Sequence, residues 1–115
     1  MNATTTSHTV LVVEDEESFV DALLVGLKKE GFRVEVARDG LEALDMFDRV
    51  QPDIVLLDVM LPKVSGIDVC RQLRTISIVP IIIVTAQTDT YDLVGEVVGA
   101  KAMVNDALAA RQAGA

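Results

Sequence analysis

The chain has 115 residues, 50% of them apolar and 24% charged, which is the composition of one globular domain with its own core rather than a disordered tail. Eighteen acidic against ten basic residues leave a net charge of -8. That balance repels phosphate backbones and anionic lipid, and so argues against unaided binding to nucleic acid or to a membrane surface. The single cysteine, Cys70, excludes an internal disulfide and a multi-cysteine zinc site. No apolar run approaches the roughly 18 residues of a membrane-spanning helix. The N-terminus lacks the basic start and apolar stretch of a signal peptide. A cytoplasmic location is expected.

Residues 1–8 are small, polar and aperiodic, and read as a flexible tail ahead of one domain over 9–115. His8 is the only histidine and has no second ligand type beside it in sequence, so it reads as a solvated residue. Thr9 to Val13 is a β-branched run bounded by acids, too short for a helix. Glu17 to Glu30 carries Phe19, Val20, Leu23, Leu24 and Leu27 at helical spacing, with Gly31 where a helix would stop. Arg33 to Ala37 predicts a second strand, Asp39-Gly40 a turn, and Leu41 to Val50 a second helix. After Gln51-Pro52, Ile54 to Leu57 is a continuous apolar strand that ends on Asp58. Pro62 and Gly66 punctuate a loop, Ile67 to Ile76 reads as a third helix with Cys70 on its apolar face, and Pro80 to Val84 is the most apolar strand. The last third predicts a helix over Tyr91 to Val98, a weak strand over Lys101 to Val104, and a short final helix over Asp106 to Gln112.

Strands apolar on consecutive residues are buried on both faces, and short connections through helices require them to run parallel. The expected fold is therefore α/β, an open five-stranded parallel sheet with helices on both faces and a short last helix. In such a sheet, ligands bind outside the carboxyl ends of the strands. Glu14, Asp15, Glu16 and Glu17 follow the first strand, Asp58 ends the third, and Thr85 and Ala86 follow the fourth. Glu16 and Glu17 fit the N-cap and first turn of a helix, where the macrodipole favours acids. Asp58 has no such role, because folding needs no acid at the end of an apolar strand. Carboxylates converging on one edge repel one another unless a cation neutralises them. An all-oxygen, solvent-facing site suits Mg²⁺, which keeps several waters and takes one or two carboxylates. The Thr85 hydroxyl adds a place for a tetrahedral anion.

Three blocks now carry a family resemblance. Val10-Leu-Val-Val-Glu-Asp-Glu-Glu17, then Asp53-Ile-Val-Leu-Leu-Asp58 with Met60-Leu-Pro62 and Gly66, then Pro80-Ile-Ile-Ile-Val-Thr-Ala86 resemble the receiver domain of bacterial two-component response regulators, a flavodoxin-like fold. The blocks are most similar to those of the winged-helix class of regulators, and the chain is expected to hold the receiver part without such an output domain. The resemblance implies a phosphorelay in which Asp58 accepts a phosphoryl group from a sensor histidine kinase. It implies Glu14 and Asp15 as the acidic pair that binds Mg²⁺ with Asp58 and the backbone carbonyl of Met60. Thr85, followed by Ala86, matches the switch hydroxyl that turns toward the phosphoryl group.

The C-terminal segment departs from that pattern. Counted from Gly99-Ala100, the family's lysine falls at Asp106, its proline at Ala107 and its switch aromatic at Met103. Counted from Thr85, the lysine falls at Ala107, so neither alignment places a lysine there. Loss of the ammonium removes a charge that stabilises the phosphoryl group, and loss of the proline implies a rerouted loop. Impaired switching is expected. A competing reading is a phosphorylation-independent binding module, a receiver-like scaffold that engages a partner or a second copy, including by exchange of an element across an open sheet edge. A Mg²⁺-dependent aspartyl phosphatase would want a second acid two residues after its nucleophile, where Met60 stands. There is no glycine-rich phosphate loop for a nucleotide. The chain is thus read as a phosphoacceptor and not an enzyme, beyond Mg²⁺-dependent gain and loss of its own phosphoryl group.

Overall fold

A computed structural model describes residues 8–58, 61, 64–84 and 93–113. All of the proposed N-terminal tail except His8 lies outside them. Within them the order is β1 (Thr9–Val13), α1 (Glu17–Lys29), β2 (Arg33–Ala37), α2 (Gly40–Val50), β3 (Ile54–Asp58), α3 (Gly66–Arg74), β4 (Ile81–Val84) and α4 (Leu93–Ala113). The strands form one parallel sheet in the order β2-β1-β3-β4. The expected α/β receiver architecture is therefore present, with four strands rather than five among the described residues.

The pleat divides the core. Val10 and Val12 of β1, with Ile54 and Leu56 of β3, face α1 and α4, where they meet Phe19, Leu23, Leu27, Val104 and Leu108. Their neighbours Leu11, Val13, Val55 and Leu57 face α2 and α3, and pack on Ala43, Phe47, Val69 and Leu73. This is why β1 and β3 read as unbroken apolar runs: both faces are covered, so neither parity can be polar.

Local signals set the helix ends. Glu16 caps α1 by accepting from the Ser18 N–H, and Glu17 lies in its first turn, as expected of both acids. Gly31 then takes a left-handed φ of 92°, which ends the segment at little steric cost. Asp39 is the N-cap of α2 and accepts from the Glu42 N–H at 2.8 Å, so the Asp39-Gly40 turn is the first turn of the helix. Ser65 caps α3 in the same way.

The C-terminal third corrects the expectation. Lys101 to Val104 is not a strand; it lies inside α4, a single helix of 21 residues that also takes in Leu93 to Val98 and Asp106 to Gln112. The final helix is thus long, and no rerouted loop separates two short pieces; Tyr91 lies outside the described residues. The reason is local and tertiary together. Six of the residues from 100 to 113 are alanine, the strongest helix former, and Val104 is the one β-branched residue in the segment read as a strand. Ala100, Val104 and Leu108 recur every fourth residue, and this stripe is buried against α1 and the sheet.

Candidate metal and phosphoryl site

The carboxyl ends of β1 and β3 bring the acids together. Glu14 directly follows β1 and is held there by its backbone N–H, which donates to the Ala37 carbonyl of β2 at 3.0 Å. Its side chain is 1% exposed. One carboxylate oxygen, Oε2, accepts from the Glu16 N–H at 3.0 Å. The other, Oε1, is buried without a hydrogen-bond partner among the described residues. Asp58 is the last residue of β3 and is 4% exposed, whereas Asp15 is exposed. One oxygen of each of Glu14, Asp15 and Asp58 lies within 4.8 Å of the other two.

Electrostatics make the cluster costly as it stands. Burial pushes the Glu14 carboxyl up from 4.5 to about 8, the Glu16 N–H opposes this, and the nearby Asp58 and Asp15 charges add to the rise. A buried acceptor with an unused lone pair, beside two further carboxylates, fits a small hard cation. The donor set is all oxygen, with no imidazole or thiolate, which excludes a structural zinc centre. The three residues could therefore hold a metal ion.

Met60, Thr85 and Ala86 lie outside the described residues. The positions that depart from the family pattern all fall on α4. Met103 and Asp106 are exposed, and Ala107 packs partly against the α1 side of the core. Lys101 is turned elsewhere: its Nζ lies 3.5 Å from Glu30 Oε2, at the C-cap of α1.

Two contacts around the site escaped the sequence reading. The Glu16 N–H that holds Glu14 comes from the chain turning into α1, and its only sequence signal is the cap itself. Arg38, immediately after β2, pairs with Glu17 and donates its backbone N–H to Glu42 Oε1 at 2.7 Å. That ion pair joins residues 21 apart in sequence, across the sheet edge, so no local pattern announces it.

The chain matches the response regulator receiver domain over residues 10–109. It is 53% identical over 104 residues to the sensory transduction protein RegX3 of Mycobacterium tuberculosis, covering 90% of this chain and 46% of that protein. It is 51% identical over 85 residues to the DNA-binding response regulator MtrA of Mycobacterium leprae, covering 74% of this chain and 38% of that protein. The chain therefore spans less than half the length of these relatives. Among solved structures, the BeF3-activated N-terminal receiver domain of Klebsiella pneumoniae RstA superposes with a TM-score of 0.67 at 33% identity, over 70% of this chain and 69% of that one. Matched across most of its length, with the sheet order and acidic edge described above, the chain belongs to the response regulator receiver domain family.

Proposed function

We propose that this chain accepts a phosphoryl group on Asp58 from a sensor histidine kinase, with Mg²⁺ held by Glu14, Asp15, Asp58 and the Met60 carbonyl. The observation that carries this reading is the cluster of three carboxylates with oxygens within 4.8 Å of one another, one Glu14 oxygen being buried without a hydrogen-bond partner among the described residues. A carboxylate oxygen of Asp58 attacks the phosphorus in line. The phosphorus–nitrogen bond to the donor histidine breaks, and its electron pair leaves with the imidazole. A cation held by Glu14, Asp15 and Asp58 would neutralise charge on the phosphoryl oxygens. Glu14 is fixed by the Glu16 N–H, and Asp15 lies at the solvent side of the cluster.

Val84, the last residue of β4, stands opposite Asp58, and Thr85 and Ala86, next in sequence, are assigned the phosphoryl contacts. Met103, Asp106 and Ala107 stand where the family resemblance has an aromatic, a lysine and a proline. With Asp106 exposed on α4 and Lys101 engaged with Glu30, the bound phosphoryl group lacks an ammonium partner from this segment, which impairs switching. Residues 9–115 are read as the receiver, acting in the cytoplasm; His8, counted with the expected tail, is tied to the sheet, its carbonyl accepting from the Arg33 N–H at 2.9 Å. Among the described residues no helix is long and apolar enough to cross a membrane. The net charge of -8 favours proteins over nucleic acid as its partners.

Intact mass after treatment with a small phosphodonor and Mg²⁺ tests this reading. One added phosphoryl group, lost in Asp58→Asn, is expected. An adduct that survives the substitution overturns the nucleophile. A chain that binds Mg²⁺ but takes no phosphoryl group favours the second reading, a phosphorylation-independent binding or dimerisation module. One observation supports that reading: β4 is an edge of the described sheet.

A further inference from the structure

The two edges of the described sheet differ in chemistry. β2 carries Arg33 and Glu35, charged residues of the kind that keep an edge from pairing with another chain. β4 reads Ile81-Ile-Ile-Val84, and no charged residue occurs between Arg74 and Asp89. On a chain with net charge -8, this uncharged stretch includes the whole of β4, an edge of the described sheet.

The backbone of β4 is set for a partner. The Val55 N–H donates to the Pro80 carbonyl at 3.0 Å, and Leu56 stands opposite Ile82. Main-chain groups alternate in direction along a strand, so Pro80, Ile82 and Val84 turn theirs toward β3 while Ile81 and Ile83 turn theirs outward. Ile83 is 44% exposed, and Ile78, just before the strand, is 91% exposed.

We propose that β4 pairs antiparallel with β4 of a second copy of this chain, about a two-fold axis at Ile82. Two four-stranded sheets then join into one of eight strands. The outward groups are two residues apart, so the N–H and C=O of Ile81 meet those of Ile83 of the second copy, and the same exchange repeats on the other side of the axis. That gives four hydrogen bonds without moving either strand out of its own sheet. An isologous contact sets a surface against itself, so a charged edge would repel its copy. This edge carries no charge to do so. The axis runs through the sheet, so each face meets its equivalent and the apolar side chains stay on the same side. The inference concerns β4 alone and stands apart from the chemistry at Asp58.

Sedimentation of the full chain over a wide concentration range tests it, with a reversible dimer expected. Ile83→Lys places like charges across the axis at an already exposed position. It is expected to give a monomer with an unchanged circular dichroism spectrum. A second measurement does not depend on that variant. In a Cys70→Ser background, Ile82→Cys sets two thiols at the axis, in a pair with Cα atoms about 4.5 Å apart, within disulfide range. Oxidation is expected to give a covalent dimer, and Val25→Cys, on exposed α1, is expected not to. A chain that stays monomeric at every concentration overturns the proposal. So does a dimer that persists in folded Ile83→Lys and fails to cross-link at position 82, since an exchanged or helix-mediated dimer would behave that way.

Discussion

Val13 of β1 stands opposite Leu57 of β3, so the next residue along each strand sets Glu14 beside Asp58. A parallel register, fixed by apolar side chains on two faces, thereby places two carboxyls in mutual repulsion at the sheet edge.

This makes stability depend on pH and on cation. Glu14 is pushed up to about 8 in the fold from 4.5, so the folded chain binds its proton more tightly than the unfolded chain does. Stability is then fully present below about pH 4.5 and falls as the pH rises through about 8, by on the order of a few kcal/mol. With a chelator present, the melting temperature should drop across that window. Millimolar Mg²⁺ should restore it at the alkaline end by mass action. Glu14→Gln should flatten the decline, and a decline that survives this substitution would place its source at another carboxyl.

Lys101 reaches Glu30, not Asp58. Glu30 caps the far end of the 13-residue α1, about 20 Å along the helix from Glu16 and the acidic edge. Lys101→Ala should therefore leave the lifetime of the aspartyl phosphate unchanged. Its cost in stability should stay under about 1 kcal/mol, as for other half-exposed pairs. A shortened phosphoryl lifetime would mean that the ammonium does act on the phosphate.

Gly40 opens α2 where it passes the loop before α3. A Cβ there would meet Val64 Cβ and the Val64 carbonyl oxygen at 2.7 Å, and Val69 Cγ2 at 2.9 Å. Backbone is among the obstructing atoms, so relief requires the loop to move. Gly40→Ala should lower stability by about 1–3 kcal/mol in denaturant titrations, despite its better helix propensity. A neutral or stabilising result would show that the loop yields freely.

Ala107 separates the helical structure of this segment from the loop that family resemblance suggests. Inside α4, Ala107→Pro removes a backbone hydrogen bond and clashes with the preceding turn, at a cost of about 3 kcal/mol or more. Asp106→Lys, at an exposed position next to it, should change stability by no more than about 0.5 kcal/mol. Thermal melts of the two variants check this. Equal, small effects would mean that residues 106 and 107 sit in a loop.

Much of the fold was legible because its signals are local. The runs Val10 to Val13 and Ile54 to Leu57 are apolar at both parities, which only a strand covered on both faces requires. Glu16 announces a helix start through its own side chain, whereas Asp39, expected in a turn, and Ser65 are seen as N-caps only in the structure. The acidic edge was legible for a related reason: an aspartate ending an apolar strand has no part in the core. Lys101 to Val104 was misread because four residues of mixed character fit either state, and a strand exists only when a neighbour supplies its hydrogen bonds. The buried stripe Ala100, Val104 and Leu108, packed on α1, decided for helix. Packing alone also separated Glu14 from Asp15. Adjacent acids look alike in sequence, but successive side chains leave an extended backbone in opposite directions. One carboxyl is therefore enclosed beside Asp58 and raised in pKa, while its neighbour faces water.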